Sequence, residues 1–251
     1  MNYEPIVPRA RVGFIIPTSN RMVEPQVQRY MPPGVIAHFT RIGMTNKHKA
    51  PLEQQLPKIV AAAEMLSESK CDAVILQCTG TSMSGGLDME KRVIDAIERV
   101  TGKPAATAAS SLTSAFVALR AKKLVFVSET RQPDHEKKLR YLREAGYEII
   151  ADKAVGLAGS DAYCTMPPQL WFDTTVALQN NNADAYFISC ANIHSIDVIE
   201  GLEKALNKPV VTSNQAAIWK SLRLVGVYDA VPGLGHLLRH DARARGGIAA
   251  E

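Results

Sequence analysis

The sequence predicts an α/β protein made of two duplicated Rossmann-like halves, each a parallel sheet flanked by helices, related by a pseudo-two-fold axis. Two observations predict this class. Short apolar runs alternate along the chain with segments of helical periodicity. The same segments also return at a constant spacing: DAVILQC from Asp72 recurs 112 positions later as DAYFISC from Asp184, and VGFIIPTS from Val12 lies 112 positions before LVFVSETR from Leu124.

A third pair of segments extends the repeat towards the end of the chain. KPAAT from Lys103 and KPVVT from Lys208 recur at the slightly shorter spacing of 105 positions. The predicted organisation therefore has an N-terminal arm at residues 1–11, a first half at residues 12–109 and 213–240, a second half at residues 110–212, and a flexible tail at residues 241–251.

The elements of the first half follow from two periodicities. A strand covered on both faces is a short continuous apolar run, whereas a helix places apolar residues three and four positions apart, as Leu56, Ile59, Ala63 and Leu66 are. A polar loop is expected at residues 78–86. The predicted strands are residues 12–16, 35–42, 73–77 and 105–108, and the predicted helices are residues 24–30, 52–69, 89–100 and 110–119.

The second half repeats the alternation of strands and helices with short connections. Gly146 is expected to end a helix, because glycine tolerates the left-handed conformation there. The predicted strands are residues 124–127, 148–151, 185–189 and 210–212, and the predicted helices are residues 133–145, 169–180, 196–206 and 214–224.

Composition excludes several classes of protein. Apolar residues make up 46% and charged residues 22% of the chain, and the net charge is only +4, so neither a nucleic-acid partner nor a membrane partner is expected. No apolar run approaches the roughly 20 residues needed to span a bilayer, and the start of the chain lacks a signal-peptide pattern. We expect a cytoplasmic protein.

The cysteines and glycines match no common cofactor motif. The four cysteines, Cys71, Cys78, Cys164 and Cys190, lack the C-x-x-C spacing of zinc sites and suit no disulfide framework, so reduced thiols are expected. The glycines match neither a dinucleotide-binding nor a phosphate-binding loop. We therefore predict neither a metal nor an organic cofactor. Cys71 and Cys164 are predicted to be packing residues.

Cys78 and Cys190 end equivalent strands of the repeat. Ligands of open parallel sheets bind beyond the carboxyl ends of the strands, where residues 18–20, 110 and 213–214 are also expected. The pseudo-two-fold axis would bring the thiols face to face, and the neighbouring helix starts are expected to lower their pKa values towards neutrality. One thiol would then act as base or nucleophile and the other as acid, at a carbon beside a carboxylate.

Four motifs resemble those of a known family: GFIIPTSN from Gly13, LQCTGTSMSGG from Leu76, ISCANIHSIDVIEGLE from Ile188 and KPVVTSNQAAIWKSLRLVG from Lys208. Across residues 12–226 the chain resembles the aspartate/glutamate racemase superfamily. Within it, the chain is similar to the branch that holds maleate cis–trans isomerases and arylmalonate decarboxylases. The last two motifs are the most specific.

The resemblance implies roles for individual residues. Arylmalonate decarboxylases carry glycine at the position of Cys78, whereas the isomerases and racemases carry cysteine at both positions. By this analogy Cys78 is the nucleophile that adds to the alkene carbon, and Cys190 manages the proton. The resemblance also implies a homo-oligomer, a dimer or larger. The residues expected to bind a small carboxylate substrate are Thr18, Ser19, Asn20, Thr79, Gly80, Thr130, Ala191, Asn192, Ser213 and Asn214.

One position departs from the family pattern. The family usually has a Pro-Tyr pair after the first strand of the second half, with the tyrosine hydroxyl on a substrate carboxylate, and often an asparagine a few residues later. This chain has Glu129-Thr130 and His135 at those positions. Thr130 retains a hydroxyl with a shorter reach, and Glu129 adds negative charge, so the departure bears on the substrate more than on the chemistry.

The favoured hypothesis is a cofactor-independent cis–trans isomerase of a maleate-like unsaturated dicarboxylate. The stretch from Ser213 to Trp219, SNQA-x-x-W, resembles the maleate isomerases more than the amino-acid racemases. Three alternatives stay open at this point: a two-base racemase or epimerase of an amino or hydroxy acid, a decarboxylase of a malonate-type acid, and a carboxylate-binding protein without turnover.

Overall fold

Two parallel four-stranded sheets with the same strand order form the centre of the molecule. The structure is a computed structural model that describes residues 7–45 and 48–239; the predicted tail at 241–251 and most of the predicted arm lie outside the described residues. The first sheet has the order β2-β1-β3-β4 and the second β6-β5-β7-β8, so the strands correspond one to one. The fold class predicted from the repeat is confirmed.

The first sheet comprises β1 (Ala10–Pro17), β2 (Val35–Ile42), β3 (Ala73–Leu76) and β4 (Ala105–Thr107). Phe14 of β1 pairs in parallel register with Phe39 of β2 and with Ile75 of β3. The second sheet comprises β5 (Lys123–Ser128), β6 (Glu148–Ala154), β7 (Ala185–Ile188) and β8 (Val210–Thr212). One central strand of each sheet, β3 in the first and β7 in the second, is fully buried, as its continuous apolar sequence requires.

Helices connect the strands of each sheet. A 3₁₀ turn, Ser195–Val198, precedes α9. The helices are α1 (Val23–Tyr30), α2 (Leu52–Glu68), α3 (Thr79–Met83), α4 (Gly86–Thr101), α5 (Ala108–Ala118), α6 (Gln132–Glu144), α7 (Gly159–Thr165), α8 (Pro168–Val176), α9 (Ile199–Leu206), α10 (Ser213–Leu224) and α11 (Gly235–Arg239).

Equivalent positions of the two halves use the same local devices. Asp72 and Asp184 each accept hydrogen bonds from backbone N–H groups where a central strand begins, at Arg11 in one sheet and at Lys122 and Lys123 in the other. Thr107 caps α5 and Thr212 caps α10, each through a reciprocal capping box. The repeat is therefore present in the structure as well as in the sequence.

The elements differ from the predicted ones in several places. The predicted loop at residues 78–86 contains α3, and α7 and α11 were not predicted. Strand β1 begins two residues earlier than predicted, within the predicted arm, and α8 ends at Val176 rather than at residue 180. Because α3 reads Thr-Gly-Thr-Ser-Met, it has no apolar periodicity from which a helix could be predicted.

The larger hydrophobic core spans both halves. Aromatic rings of both sheets contribute to it: Phe14 of β1 comes from the first sheet, and the stacked rings of Phe126 of β5 and Phe187 of β7 come from the second. Helix α10 packs against α5 and also contacts β3 and β4. The sheets use residues 10–107 and 123–212, while the predicted boundaries of the two halves stay a prediction. No helix among the described residues is long and apolar enough to cross a membrane.

Candidate active site

Loops from both halves enclose one large cavity at the carboxyl ends of the strands. Its volume is about 1000 Å³, and Cys78 and Cys190 both line it. The structure therefore brings together residues that lie 112 positions apart in the sequence. The predicted site residues that line the cavity are Ser19, Asn20, Cys78, Thr79, Gly80, Thr130, Cys190, Ala191 and Asn192.

Cys78 lies between β3 and α3. Its backbone is extended, and only 8% of the residue is exposed. The thiol donates a hydrogen bond to Thr81 Oγ1 over 3.0 Å, one turn further along α3. The short connection from the buried strand to α3 thus directs the sulfur into the cavity wall.

Cys190 occupies the equivalent place after β7 with an unusual backbone. Its φ is +114°, a conformation rare outside glycine, and 7% of the residue is exposed. Its N–H donates to Ser213 Oγ over 3.0 Å, and the Asn192 N–H donates to its Sγ over 3.3 Å. Hydrogen bonds on both sides hold this strained residue in place.

The predicted lowering of the two thiol pKa values is wrong. Burial raises the pKa of Cys78. Burial, and then the nearby Glu129 carboxylate, raise the pKa of Cys190 well above its ordinary value. The Lys138 ammonium pulls both pKa values down, but by less than burial raises them. Helix starts lower a thiol pKa only where desolvation does not outweigh them.

Glu129 and Lys138 form a buried ion pair in the cavity wall. Lys138 Nζ lies 2.8 Å from Glu129 Oε1 and 2.7 Å from Oε2, and the side chains are 3% and 6% exposed for Lys138 and Glu129 respectively. The negative charge that the sequence adds at Glu129 is therefore neutralised within the protein. Sequence reasoning missed Lys138, although a lysine on the apolar face of a helix, beside Leu139 and Leu142, is a signal that could have found it.

Asn20 and Asn192 join the two halves at the cavity. The Asn20 Nδ2 donates to the Ala191 carbonyl over 2.9 Å, while its Oδ1 accepts from the backbone N–H groups at the start of α1. Asn192 reaches from the second half to the first: its Oδ1 accepts a hydrogen bond from the Arg21 N–H over 2.8 Å. Both side-chain amides thus hold the two halves together in addition to lining the cavity.

Three predicted substrate-binding residues do not line this cavity. Ser213 and Asn214 lie behind it: Ser213 holds Cys190, and Asn214 Nδ2 donates to Gln26 Oε1 over 2.6 Å and to the Ala191 carbonyl over 3.1 Å. Thr18 lines a smaller neighbouring cavity of about 320 Å³. Their positions support a role in holding the loops rather than direct contact with a ligand in the large cavity.

Thr79 and Thr130 offer hydroxyl groups from opposite halves. Thr79 Oγ1 is buried and has no hydrogen-bond partner among the described residues. Thr130 Oγ1 lies 3.2 Å from Ser128 Oγ. A polar oxygen buried without a partner is costly, so a ligand group at Thr79 would remove that cost.

The outer part of the cavity was not predicted from the sequence. It mixes apolar and charged side chains contributed by several elements, and these residues are distant from one another in the sequence. The residues added there are Met44, Lys49, Leu52, Glu53, Met83, Asp88, Met89, Arg92, Arg131, Asp134, Lys137, Leu157, Ser160 and Tyr163.

His194, a further residue near Cys190 in the sequence, contacts neither thiol in the described structure. Its Nε2 donates to the Cys164 carbonyl over 3.0 Å. Within the described residues, no group of three or more histidine, cysteine, aspartate or glutamate side chains could hold a metal ion. The cavity offers two thiols, hydroxyls, side-chain amides and the Glu129–Lys138 ion pair, with further charged side chains in its outer part.

Comparison with known proteins gives concordant matches along almost the whole chain. The family model described as arylmalonate decarboxylase matches residues 12–238. A maleate isomerase of Pseudomonas putida is 25% identical over 241 residues, covering 91% of this chain and 96% of the relative. A maleate isomerase of Nocardia farcinica is 26% identical over 242 residues, covering 92% and 96%.

Solved structures match the fold equally well. A cysteine-to-alanine variant of the maleate isomerase of Pseudomonas putida S16, with maleate, has a TM-score of 0.86 at 24% identity, covering 93% of this chain and 98% of that one. A mutant of the Nocardia farcinica maleate cis–trans isomerase, with a covalently bound succinylcysteine intermediate, has a TM-score of 0.84 at 23% identity, covering 93% and 99%. At these identities the structural likeness establishes the fold.

Proposed function

The chain belongs to the arylmalonate decarboxylase family, and from that membership we propose that it is an isomerase that interconverts the cis and trans forms of a small maleate-like dicarboxylate without a cofactor. One observation carries the proposal: two buried cysteines, one from each half, line the same cavity. The family resemblance gives decarboxylases a glycine at the position of Cys78, so the cysteine there favours the isomerase reaction. The two maleate isomerase relatives support the same choice.

The first step is addition of Cys78 to the alkene. Because burial raises its pKa, Cys78 is a thiol in the free protein, and it gives its proton to solvent in the cavity before it attacks. Its sulfur then forms a bond to one alkene carbon, and the π electrons move towards the carboxylate on the other. The Thr79 hydroxyl, buried without a partner among the described residues, is available to donate to that developing charge.

The second step is proton transfer from Cys190. Its thiol gives a proton to the second alkene carbon, which leaves a succinyl group on Cys78 and a thiolate on Cys190. Burial and Glu129 disfavour that thiolate, and the Lys138 ammonium offsets part of their effect because it lowers the pKa of Cys190. A succinylcysteine of this kind is described for the Nocardia farcinica enzyme.

The last steps reverse the first two after rotation. The single bond between the former alkene carbons turns, for which a cavity of about 1000 Å³ gives room. Cys190 takes the proton back, the double bond re-forms in the trans arrangement, and the carbon–sulfur bond to Cys78 breaks; the Cys78 thiolate then takes up a proton from solvent. Both cysteines return to their starting states, so no other reactant is consumed.

Proton NMR with maleate tests this proposal. We expect the cis-alkene signal to fall as the trans signal grows, and we expect Cys78→Ala and Cys190→Ala to lose at least about 10³-fold in kcat. Cys164→Ala is the matched control, because Cys164 does not line the cavity. Full activity in Cys78→Ala would contradict the mechanism.

The same spectrometer distinguishes the neighbouring activities. Deuterium entering the α-carbon of aspartate or glutamate in D₂O would indicate a racemase. Loss of carbon dioxide from phenylmalonate would indicate a decarboxylase. Either result without turnover of maleate would overturn the proposed reaction.

A further inference from the structure

A continuous chain of polar contacts leads from the cavity to the edge of the second sheet. Thr130 Oγ1 lies 3.2 Å from Ser128 Oγ, which lies 2.6 Å from His135 Nδ1. On the other side of the ring, His135 Nε2 lies 2.8 Å from Asp152 Oδ1 on β6. Ser128 and His135 are fully buried, Thr130 lines the cavity, and the Asp152 side chain is 36% exposed. We refer to these four residues as the Thr130 relay.

The Asp152 end fixes one proton of the relay. An ionised carboxylate only accepts hydrogen bonds, so His135 Nε2 carries a hydrogen. The protonation of Nδ1 then decides the direction of the remaining contacts. The ring itself is held in place by stacking on Phe126, with centroids 4.9 Å apart.

The two states of His135 give Thr130 opposite roles. When the ring is neutral, Nδ1 accepts a hydrogen bond from the Ser128 hydroxyl, and Ser128 Oγ accepts one from the Thr130 hydroxyl. Thr130 can then only accept hydrogen bonds from a ligand in the cavity. When the ring is protonated, Nδ1 donates to Ser128, Ser128 donates to Thr130, and the Thr130 hydroxyl is free to donate into the cavity. Only the second arrangement suits a substrate carboxylate without breaking a contact in the relay.

We propose that His135, Asp152 and Ser128 are positioning residues that orient the Thr130 hydroxyl, so that binding of a substrate carboxylate takes up a proton at His135. The proposal rests on the proposed function, because it requires a carboxylate ligand in this cavity. It gives Thr130 the donor role that the family resemblance implies for a tyrosine. Affinity for the carboxylate then falls as the pH rises, by at most about tenfold per pH unit.

Several other charged groups near His135 are paired within the protein. On α6 itself, Lys138 is bound to Glu129, and Asp134 contacts Lys137 and Lys49. On α4, which packs against α6, Glu90 accepts from Tyr141. Lys153 follows Asp152 on β6. Asp152 is the charged group in direct hydrogen-bond contact with the ring, and its partial exposure gives the relay a route for proton exchange with solvent.

Calorimetric titration with succinate, a dicarboxylate with no double bond to react, tests the proposal directly. The titration is run between about pH 6 and pH 8 in two buffers of different ionisation enthalpy, which yields the protons taken up per ligand bound. We expect the wild-type protein to take up a fraction of a proton, approaching one, for each succinate bound. The uptake by His135→Asn is expected to be smaller by this same amount. We also expect the succinate Kd of His135→Asn to be nearly independent of pH once the ligand's own titration is subtracted.

Further variants and a control separate the relay from packing effects. Ser128→Ala breaks the relay while His135 and Thr130 remain, and Thr130→Val removes the hydroxyl at nearly constant volume; both are expected to lose the proton uptake. His194→Asn is the matched control, because His194 contacts the Cys164 carbonyl outside the cavity, and it is expected to keep the uptake. In the wild-type protein at fixed pH, succinate is expected to move the His135 NMR signals towards those of a protonated ring.

Two results would overturn the inference. Equal proton uptake in the wild-type protein, Ser128→Ala and Thr130→Val is one, and a His135 signal that ignores succinate is the other. If maleate is still isomerised, only the relay fails and the proposed function stands. If neither succinate nor maleate binds to the folded protein, both fail together.

Discussion

At the residue scale, Cys190 combines a reactive group with a strained backbone. Its φ of +114° is sparsely populated by residues with a Cβ, and such strain costs on the order of 1–3 kcal/mol. The Ser213 hydroxyl and the Asn192 N–H hold the residue in this conformation. The protein thus maintains an unfavourable backbone at a point where the proposed reaction needs a thiol.

This strain predicts that Cys190→Gly and Cys190→Ala differ in stability although both lose activity. Glycine adopts φ of +114° without a Cβ penalty, so the variant is expected to be about 1 kcal/mol more stable than Cys190→Ala, which keeps the strain. Both variants are expected to be inactive. Chemical denaturation of the two variants measures the difference, and equal free energies of unfolding would mean that the backbone conformation costs nothing.

The raised thiol pKa values predict a distinctive pH dependence. Since a thiolate is the nucleophile and burial raises the pKa values of Cys78 and Cys190, the thiolate fraction at neutral pH is small and grows as the pH rises. Alkylation of both cysteines by iodoacetamide is expected to be slow at pH 7 and to keep accelerating beyond about pH 8.5, where the rate of an ordinary thiol levels off. Peptide mass spectrometry measures each site, and rapid alkylation of either at pH 7 would contradict this.

The residue scale is also where sequence reasoning was least complete. The repeat was enough to predict that Cys78 and Cys190 belong to one site, because equivalent strand ends meet at the same edge of a parallel sheet. It could not give their pKa values, which depend on burial by loops from several elements. Lys138 and Glu129 contact each other across nine positions of the chain, and only the path of α6 brings them together.

At the element scale, a buried carboxylate links α4 to α6. Glu90 of α4 is 5% exposed and accepts hydrogen bonds from Tyr141 of α6 and from Thr107 before α5. Burial raises the pKa of Glu90, while these two hydroxyl donors favour its ionised form and lower that pKa. The contact therefore joins helices of both halves by an interaction that depends on charge.

Removal of the Tyr141 hydroxyl is expected to destabilise the protein in a pH-dependent way. In Tyr141→Phe an ionised buried carboxylate loses a donor, at a cost of about 2 kcal/mol at neutral pH. The cost is expected to shrink as the pH falls and Glu90 becomes protonated, because the hydrogen bond favours the charged form. Denaturation curves between pH 5 and about pH 8 measure this.

Tyr147→Phe is the matched control for that experiment. Its hydroxyl donates to the neutral Thr113 carbonyl over 3.2 Å, so its loss is expected to cost about 1 kcal/mol at every pH. The same pH dependence in both variants would show that the Glu90 contact has no special role.

The elements themselves were predicted where their burial is uniform. Strands β3 and β7 are four-residue apolar runs buried on both faces, and α10 has a capping box readable from Thr212 and Gln215. Helix α3 was missed because its stability comes from the loops around it rather than from its small polar residues. Short elements of this kind depend on tertiary contacts that periodicity does not report.

At the scale of the whole molecule, hydrogen bonds at one corner connect the halves beside Cys190. Asn20 donates to the Ala191 carbonyl, and Gln26 Nε2 donates to the Ile193 carbonyl over 3.0 Å, so both contacts come from the start of α1 and end in the loop after β7. Gln26 also accepts from Asn214 and does not line the cavity. It couples the first half to the position of Cys190 without touching a ligand.

Gln26→Leu is therefore expected to lower kcat about tenfold with little change in KM, because the loop that carries Cys190 loses the hydrogen bond at Ile193 and α10 loses the one at Asn214. A loss of stability of about 1–2 kcal/mol is also expected. Thr175→Val removes a buried hydroxyl far from the cavity, where Thr175 donates to the Trp171 carbonyl, and is expected to change stability but not kcat. Steady-state kinetics with maleate measure both, and an unchanged kcat in Gln26→Leu would contradict the coupling.

The position of α10 has a consequence for how a cell makes this protein. The first sheet is complete by Thr107, yet the helix that packs against α5 and contacts β3 and β4 begins only at Ser213. At typical rates of synthesis, the ribosome needs about 5–20 s to add the intervening residues. During that interval the nascent first half exposes an apolar surface that α10 covers in the folded protein, so its packing waits until Ser213–Leu224 has been synthesised.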